Sequence, residues 1–525
     1  MRARSIMVLG TSSHVGKSLL TAALCRIFAQ EGYRVAPFKA QNMSLNSAVT
    51  PDGLEIGRAQ ALQAEAAGVL PSVHMNPILL KPSGNMTSQV VVHGKIWGTL
   101  SASDYHRRRV EELLPFVRES YETLAAENDI IILEGAGSPA EINLKQHDIV
   151  NMRMAELADA ACLLVGDIDR GGIFASLFGT VELLEPHEQN RIAGFLINKF
   201  RGDVRLLEPG IRMIEERLGK PCFGVIPYLP ALSLDEEDSL GLPGPDAENR
   251  EAWLRSNEPS RPLRIAVIAF PSFSNFTDFD ALRSEPFISV RFCRTPDQLS
   301  HADIIILPGS KQTASDLTWM RSQGLDKALL DHTAKGLVVG ICGGMQMLGK
   351  EITDPHEIEV SGAILGLDLL AIHTTMQPQK ITRISSGHLI TQSLFGQAIS
   401  APPVSGYEIH VGDTLYLEGA EPFARLATDA GSSNFDDGCI AANHRIFGTY
   451  LHGLFDDDTF RHAFLMAARS FYGLAAPVPL NNWKRQREAE LDRLTNAVRE
   501  ALDLDRLFSL AGLSYTPQKR EEIQP

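Results

Sequence analysis

The sequence is short of the features that would make it secreted, membrane-bound or nucleic-acid-binding. Its 525 residues include only six cysteines, Cys25, Cys162, Cys222, Cys293, Cys342 and Cys439, and no CxxC pair among them. That scatter argues against a disulfide framework and against a zinc clip. No apolar run reaches the roughly 20 residues of a membrane-spanning helix. The apolar stretch behind Arg2 and Arg4 ends at Gly10, too short for a signal-peptide core. Basic residues are in deficit, 49 against 64 acidic, for a formal net charge of −15. A general nucleic-acid binder needs a basic face to displace phosphate counterions, so that class is not expected. Repeats and low-complexity tracts are absent as well. With 44% hydrophobic and 22% charged residues the composition is that of an ordinary globular chain, expected to be reduced and cytoplasmic. An anionic small molecule remains an acceptable ligand, because a pocket can be locally positive in an acidic protein. Nothing in the sequence sets an oligomeric state.

The length allows three domains at roughly 150 residues each, and two large α/β domains fit equally well. From residue 5 to about 228, short apolar runs alternate with longer amphipathic stretches. Ser5–Leu9, Ile130–Leu133, Ala161–Val165, Ile192–Ile197 and Phe223–Ile226 read as buried strands, and Lys17–Gln30 as a helix. Continuous apolar strands alternating with helices imply a parallel sheet covered on both faces. Gln89–His93 reads as an extra edge strand. The turn-rich, acidic stretch 230–262 reads as a linker. A second α/β rhythm runs through Leu263–Ala269, Ile304–Leu307 and Leu337–Ile341. The closely spaced runs Tyr407–Val411, Cys439–Ala442 and Ile446–Tyr450 suggest an antiparallel extension. Trp483–Leu502 has helical spacing and many charges, as a surface helix would, and Thr516–Pro525 reads as a frayed tail. The expected boundaries are therefore 1–229, linker 230–262, 263–475, and a C-terminal helical extension with tail, 476–525.

Gly10-Thr11-Ser-Ser-His-Val-Gly16-Lys17-Ser18 follows the first strand and opens the first helix. A phosphate loop needs that placement, since backbone N–H groups and the helix start must converge on the phosphates. Gly10, Thr11, Gly16, Lys17 and Ser18 are thus expected to bind ATP, with Lys17 on the β/γ-phosphates and the Ser18 hydroxyl on Mg²⁺. Glu134 and Asp167 stand at the ends of later strands, where open α/β sheets bind ligands, and are further Mg²⁺ ligand candidates. Asp169 reads equally well as a helix cap. Lys39, just past the second strand, is a possible second phosphate contact, although a lone lysine is more often a solvated charge. The same holds for Arg107–Arg109, which as a helix face would at most steer a polycarboxylate.

Gly340-Ile-Cys342-Gly343-Gly344-Met-Gln346 follows an apolar strand and precedes a helix-like segment. G-x-C-x-G places a thiol on a tight strand-to-helix turn, the cysteine counterpart of the serine elbow. Exposure there favours the thiolate. The N–H of Gly343, with one from Pro308-Gly309-Ser310, can form an oxyanion hole. The other five cysteines read as buried structural thiols. His452, in Gly448-Thr-Tyr-Leu-His452-Gly453, is the expected base, with His410 and His444 as rivals.

Gly-x-Cys-x-Gly-x-Gln with a late Tyr-Leu-His-Gly resembles the class I glutamine amidotransferases, whose cysteine forms a γ-glutamyl thioester and releases ammonia. Many members place a glutamate two residues after the histidine. That position is Leu454 here, leaving a Cys–His dyad or an orienting acid elsewhere, for which Glu408 is a weak candidate. The long phosphate loop resembles that of dethiobiotin synthetase. A lysine five residues before the invariant one, typical of partition ATPases, is replaced by Ser12, which disfavours a regulatory or partitioning ATPase. Together with Gln41-Asn-Met-Ser-Leu-Asn46, Glu134–Asn143, Asp167–Gly172 and Gly406-Tyr-Glu-Ile-His410, the two halves resemble the cobalamin-pathway amidases. The resemblance implies an N-terminal P-loop parallel-sheet domain and a C-terminal class I glutamine amidotransferase α/β domain. It also implies ATP- and glutamine-dependent amidation of the b, d, e and g carboxylates of a corrinoid a,c-diamide. ATP would activate each carboxylate as an acyl phosphate, and ammonia would travel a sheltered route to it. Same-class alternatives are a corrinoid a,c-diamide synthase and a cell-wall amidotransferase.

Overall fold

The structure is a computed structural model that describes residues 2–83, 87–101, 104–105, 109–230, 232–234, 259–400, 402–428, 434–476 and 480–515. Most of the expected linker, the tail 516–525 and Arg107–Arg108 lie outside the described residues. Two compact units result. One comprises Met1–Met43, Ile56–Asp235 and Glu488–Pro525, and the other Ser44–Glu55 and Glu236–Arg487. Both are therefore discontinuous in sequence, which the expected boundaries did not foresee.

The first unit is built on a six-stranded parallel sheet. Its order is Cys222–Pro227, Ile192–Phe200, Ala161–Asp167, Arg4–Gly10, Ile130–Glu134 and Val35–Phe38. Ile130–Leu133 and Cys162–Val165 are fully buried, because helices cover both faces and no polar alternation is tolerated. The run at Val90–Val92 is not an edge of this sheet. It belongs to Thr87–Val92, an inner strand of a separate sheet ordered Gln41–Met43, Ile78–Ser83, Thr87–Val92 and Lys95–Ser101. Its neighbours carry Lys81, Pro82 and Lys95, residues that disguise a strand pattern.

The helix Trp483–Ala501 is not a bare surface helix. Leu491, Leu494, Val498 and Leu502 form a stripe at helical spacing that is buried, with Leu507 and Phe508, in the core around Leu24, Cys25 and Phe28. The Phe28 and Phe508 ring centroids are 4.4 Å apart. Arg26 pairs with Glu488 and Asp492, each at 2.8 Å, which accounts for part of the helix's charge.

In the second unit the main sheet runs Ile288–Cys293, Leu263–Ile268, Ile304–Leu307, Leu337–Ile341, Ile446–Thr449 and Cys439–Ile440. Its first five strands are parallel. Ile446–Thr449 is thus a central parallel strand and not part of an antiparallel extension; only Cys439–Ile440 runs antiparallel to it. The Tyr407 run lies in the long strand Pro403–Tyr416, paired antiparallel with Ile372–Leu389 in a second sheet. Among the described residues no helix is long and apolar enough to cross a membrane.

Candidate active sites

The phosphate loop of the first unit closes around two glycines. Gly16 has φ 97°, and a Cβ there would lie 2.3 Å from Asn198 Nδ2. A Cβ on Gly10 would lie 2.9 Å from Lys17 Nζ. Both positions need glycine. The Thr11 N–H closes the loop onto the Val165 carbonyl at 2.9 Å. Lys17 is buried at the first position of the helix Lys17–Gln30, and its ammonium donates to the Ser12 and Gly137 carbonyls.

Glu134, at the end of its strand, gathers the site. Its Oε1 accepts from the Ser18 hydroxyl at 2.8 Å and pairs with Lys39 Nζ at 3.0 Å, and its Oε2 accepts from Gln63 Nε2 at 2.6 Å. The Lys39 and Glu134 side chains are 3% and 0% exposed, so Lys39 is no solvated surface charge. Charges so buried persist only when paired. Ser18 and Glu134 together offer hard oxygen donors of the kind Mg²⁺ prefers. Asp167 is placed differently: it pairs with Lys199 at 2.8 Å and accepts the Asp169 N–H at 2.9 Å. Asp169 pairs with Arg201 at 3.0 Å.

Sequence reasoning missed Asn198, Lys199 and Gln63. Asn198 Nδ2 donates to the Val15 carbonyl and Lys199 Nζ to the His14 carbonyl, each at 2.7 Å, so the two hold the loop from the next strand end. Their position after a parallel strand was the available signal. Gln63 sits mid-helix in Arg58–Ala67 and gave none.

In the second unit Cys342 stands at φ 51°, ψ −111° between the strand Leu337–Ile341 and the helix Gly343–Leu348. A non-glycine residue persists in such a conformation only where the surroundings enforce it. Here the Cys342 N–H is held by the Thr449 carbonyl at 2.8 Å, and Gly344 packs so closely that a Cβ would lie 1.9 Å from the Leu307 carbonyl oxygen. The elbow does not expose the thiol as expected, for Cys342 is buried at 7% exposure. Burial pushes the thiols of Cys162 and Cys293 up to about 12 and those of Cys222 and Cys439 up to about 11, and it raises Cys25 further.

His452 lies between Cys342 and an acid. Its Nδ1 is 2.7 Å from Asp278 Oδ2, and Asp278 Oδ1 accepts the Gly453 N–H at 2.9 Å. Burial alone would lower the imidazole's pKa, but Asp278 and then Cys342 outweigh it and raise it to about 10. The nearby carboxylate thus favours the charged form of the ring. Gly309 sits against the same ring, where a Cβ would come 2.9 Å from His452 Cε1. A Cβ on Gly343 would lie 3.1 Å from the Ser310 amide nitrogen, so the two expected oxyanion loops are adjacent. Asp316 secures the second of them, accepting from the Ser310 hydroxyl at 2.6 Å and the Ser272 N–H at 3.3 Å.

The carboxylate placed on His452 is therefore that of Asp278 and not of Glu408. Strand alternation turns Glu408 away from the imidazole that Tyr407 stacks against. Glu408 is instead held by Arg383 at 2.8 Å and Ser385 at 2.6 Å. Burial opposes its ionisation, yet His410, Arg383 and Ser385 hold the carboxyl down at about 2. His410 stacks on Tyr450 at 3.7 Å between centroids, and His444 meets Ser393 at 3.2 Å, so neither rival is placed as the base. Asp278 lies in the one-turn helix Phe276–Phe279, in no recognisable motif. Asp278→Asn is expected to lower kcat for glutamate release about 10²–10⁴-fold with little change in KM, measured by steady-state kinetics.

Comparison with known proteins matches residues 6–241 to the CobQ/CobB/MinD/ParA nucleotide binding domain and residues 264–460 to the CobB/CobQ-like glutamine amidotransferase domain. Over 513 residues the chain is 48% identical to the cobyric acid synthase of Moorella thermoacetica, covering 97% of this chain and 98% of that protein. It is 46% identical over 510 residues to the cobyric acid synthase of Clostridium acetobutylicum, with 97% and 99% covered. The cobyric acid synthase of Syntrophobacter fumaroxidans is 46% identical over 521 residues, with 98% and 99% covered.

Proposed function

The chain belongs to the cobyric acid synthase family, whose members carry out glutamine-dependent amidation in cobalamin synthesis, and from that premise we propose how its two sites divide the work. The acceptor is a corrinoid a,c-diamide, amidated at its b, d, e and g carboxylates. At the first site a carboxylate oxygen attacks the γ-phosphorus of ATP, forming an acyl phosphate and releasing ADP. The step is mostly charge neutralisation and alignment. Lys17 and Lys39 supply positive charge, and the loop amides cradle the phosphates. Ser18 and Glu134 would hold Mg²⁺, which when bound supplies further neutralisation of the phosphate oxygens.

At the second site Cys342 Sγ attacks the amide carbon of glutamine. The oxyanion is received by the Gly309 and Gly343 amides. His452 gives its proton to the departing nitrogen, releasing ammonia and leaving a γ-glutamyl thioester. It then takes a proton from the water that hydrolyses the thioester to glutamate. Ammonia attacks the acyl carbon at the first site, and phosphate leaves. Asp278 keeps the His452 tautomer and charge suited to both transfers. All six cysteines are free thiols.

The single observation that supports this reading best is the strained Cys342 beside His452 and Asp278, on one chain with the Ser18–Lys39–Glu134 cluster. Its test is mass spectrometry of the corrinoid after incubation with purified protein, Mg-ATP and glutamine. Adenosylcobyrinic acid a,c-diamide is expected to convert stepwise until the b, d, e and g carboxyls are amides. An unchanged corrinoid alongside continued glutamine hydrolysis would overturn the acceptor assignment.

A further inference from the structure

The second unit contains a segment that lies outside its own family domain. Ser44–Glu55 falls within the nucleotide-binding match, residues 6–241, yet folds with Glu236–Arg487. Two of its residues grip the turn that carries Asp278. Asn46 Oδ1 accepts the Phe276 N–H at 3.2 Å, and Asn275 Oδ1 accepts the Ser47 N–H at 2.9 Å. Asn46, Ser47 and Asn275 are all buried. Asn275 is left-handed at φ 54°, and its carbonyl accepts the Asp278 N–H at 3.1 Å, so the grip falls at the start of the turn that presents the acid.

A third contact reaches the base. The Tyr407 hydroxyl donates to the Ser47 carbonyl at 3.2 Å, and the Tyr407 ring lies stacked on His452 with centroids 5.4 Å apart. Tyr407 and His452 also exchange backbone hydrogen bonds of 3.0 and 2.8 Å. At the other end of the segment, buried Glu55 is tied by an ion pair to Lys380. The segment thus touches the supports of both members of the Asp278–His452 pair without contributing a group to the chemistry.

We propose that Asn46 is a positioning residue for glutamine hydrolysis: bonded to the Phe276 N–H, with Asn275 holding the adjacent Ser47 N–H, it fixes the turn that sets Asp278 against His452. The proposal rests on the glutaminase roles assigned above to Cys342, His452 and Asp278. A side chain bonded to the backbone of a turn selects one conformation of it, and misplacing a catalytic group by about 1 Å can cost on the order of 10² in rate. Because the amidotransferase match begins at residue 264, the glutaminase depends for this support on sequence encoded in the other family domain.

The test is steady-state glutamate release by the full-length protein. Asn46→Ala is expected to lower kcat about 10–100-fold with KM for glutamine held within about twofold. Asn46→Asp, whose carboxylate accepts the same N–H, is expected to restore most of the loss. In an Asp278→Asn background, Asn46→Ala is expected to cost no more than about twofold further, because both changes act through one acid. Wild-type kcat in Asn46→Ala, or an equal loss in the Asp278→Asn background, overturns the proposal. Should Asn46→Ala fail to fold, Asn275→Gly decides, since it keeps the positive φ and removes the acceptor; undiminished kcat there overturns the proposal too. Cys342→Ala separates the two levels of inference. Glutamate release that survives Cys342→Ala removes the glutaminase reading itself, whereas its loss together with a fully active Asn46→Ala removes only the positioning role.

Discussion

Cys342→Ala is expected to reduce glutamine-dependent amidation and glutamate release by about 10⁴-fold or more, while ammonium salts with ATP still drive amidation. The size follows from the chemistry. Without the thiol no thioester forms, and a residual rate has only the oxyanion amides to support it. None of the other cysteines can substitute. Burial holds all five thiols well above the ordinary range, so none is a ready nucleophile. External ammonia bypasses the second site, because it is itself the nucleophile for the acyl phosphate. Its rate should rise with pH as ammonium is deprotonated. Product mass spectrometry with either nitrogen source checks this, and glutamine-dependent turnover that survives the substitution would refute the assignment of Cys342.

The opposite pattern is expected of Glu134→Gln. Amidation should fall about 10³-fold with glutamine and with ammonium alike, since the lost carboxylate serves the phosphoryl transfer that both require. Glutamate release should persist. A stability cost accompanies it, because the substitution removes the carboxylate with which the 3%-exposed Lys39 ammonium pairs. Breaking a buried ion pair from one side costs about 3–5 kcal/mol, which for a unit of this size is roughly 10 °C in melting temperature. Removing both charges, with Lys39→Met added, should recover much of that melting temperature and none of the activity. Calorimetry beside the amidation assay distinguishes these effects. A Glu134→Gln protein that melts like the wild type would refute the stability cost assigned to the pair.

How far the two sites were legible depended on whether their chemistry is local. The phosphate loop and the cysteine elbow are contiguous, and each glycine in them answers to a backbone constraint within a few residues. Asp278 is not local. It reaches His452 only because the strands Leu263–Ile268 and Ile446–Thr449 lie in one sheet, and no spacing rule links positions so far apart. Glu408 was the plausible acid by proximity to a motif and failed on strand alternation, a matter of one residue's register. Lys39 belongs to no motif, so the sequence leaves it between a phosphate contact and a surface charge; its burial comes from Glu134, far along the chain. The strand Ile288–Cys293 escaped notice since Ser289 and Arg291 interrupt its apolar pattern on the rim of the sheet. The helix Trp483–Ala501 carried its apolar stripe openly, but amphipathic spacing does not say which core the stripe enters.

That last helix has a consequence for synthesis. Leu491, Leu494, Val498, Leu502, Leu504, Leu507, Phe508 and Ala511 complete a core whose other buried members, from Ile6 to Leu234, are made long before them. At about 5–20 residues per second, a ribosome takes some tens of seconds to travel from the end of the first unit's main stretch to these late residues. Throughout that interval the flank of Lys17–Gln30 around Leu24 and Phe28 lacks the cover that these late residues give it. The nascent nucleotide-binding unit is therefore expected to complete its core only once these last turns of helix have been made.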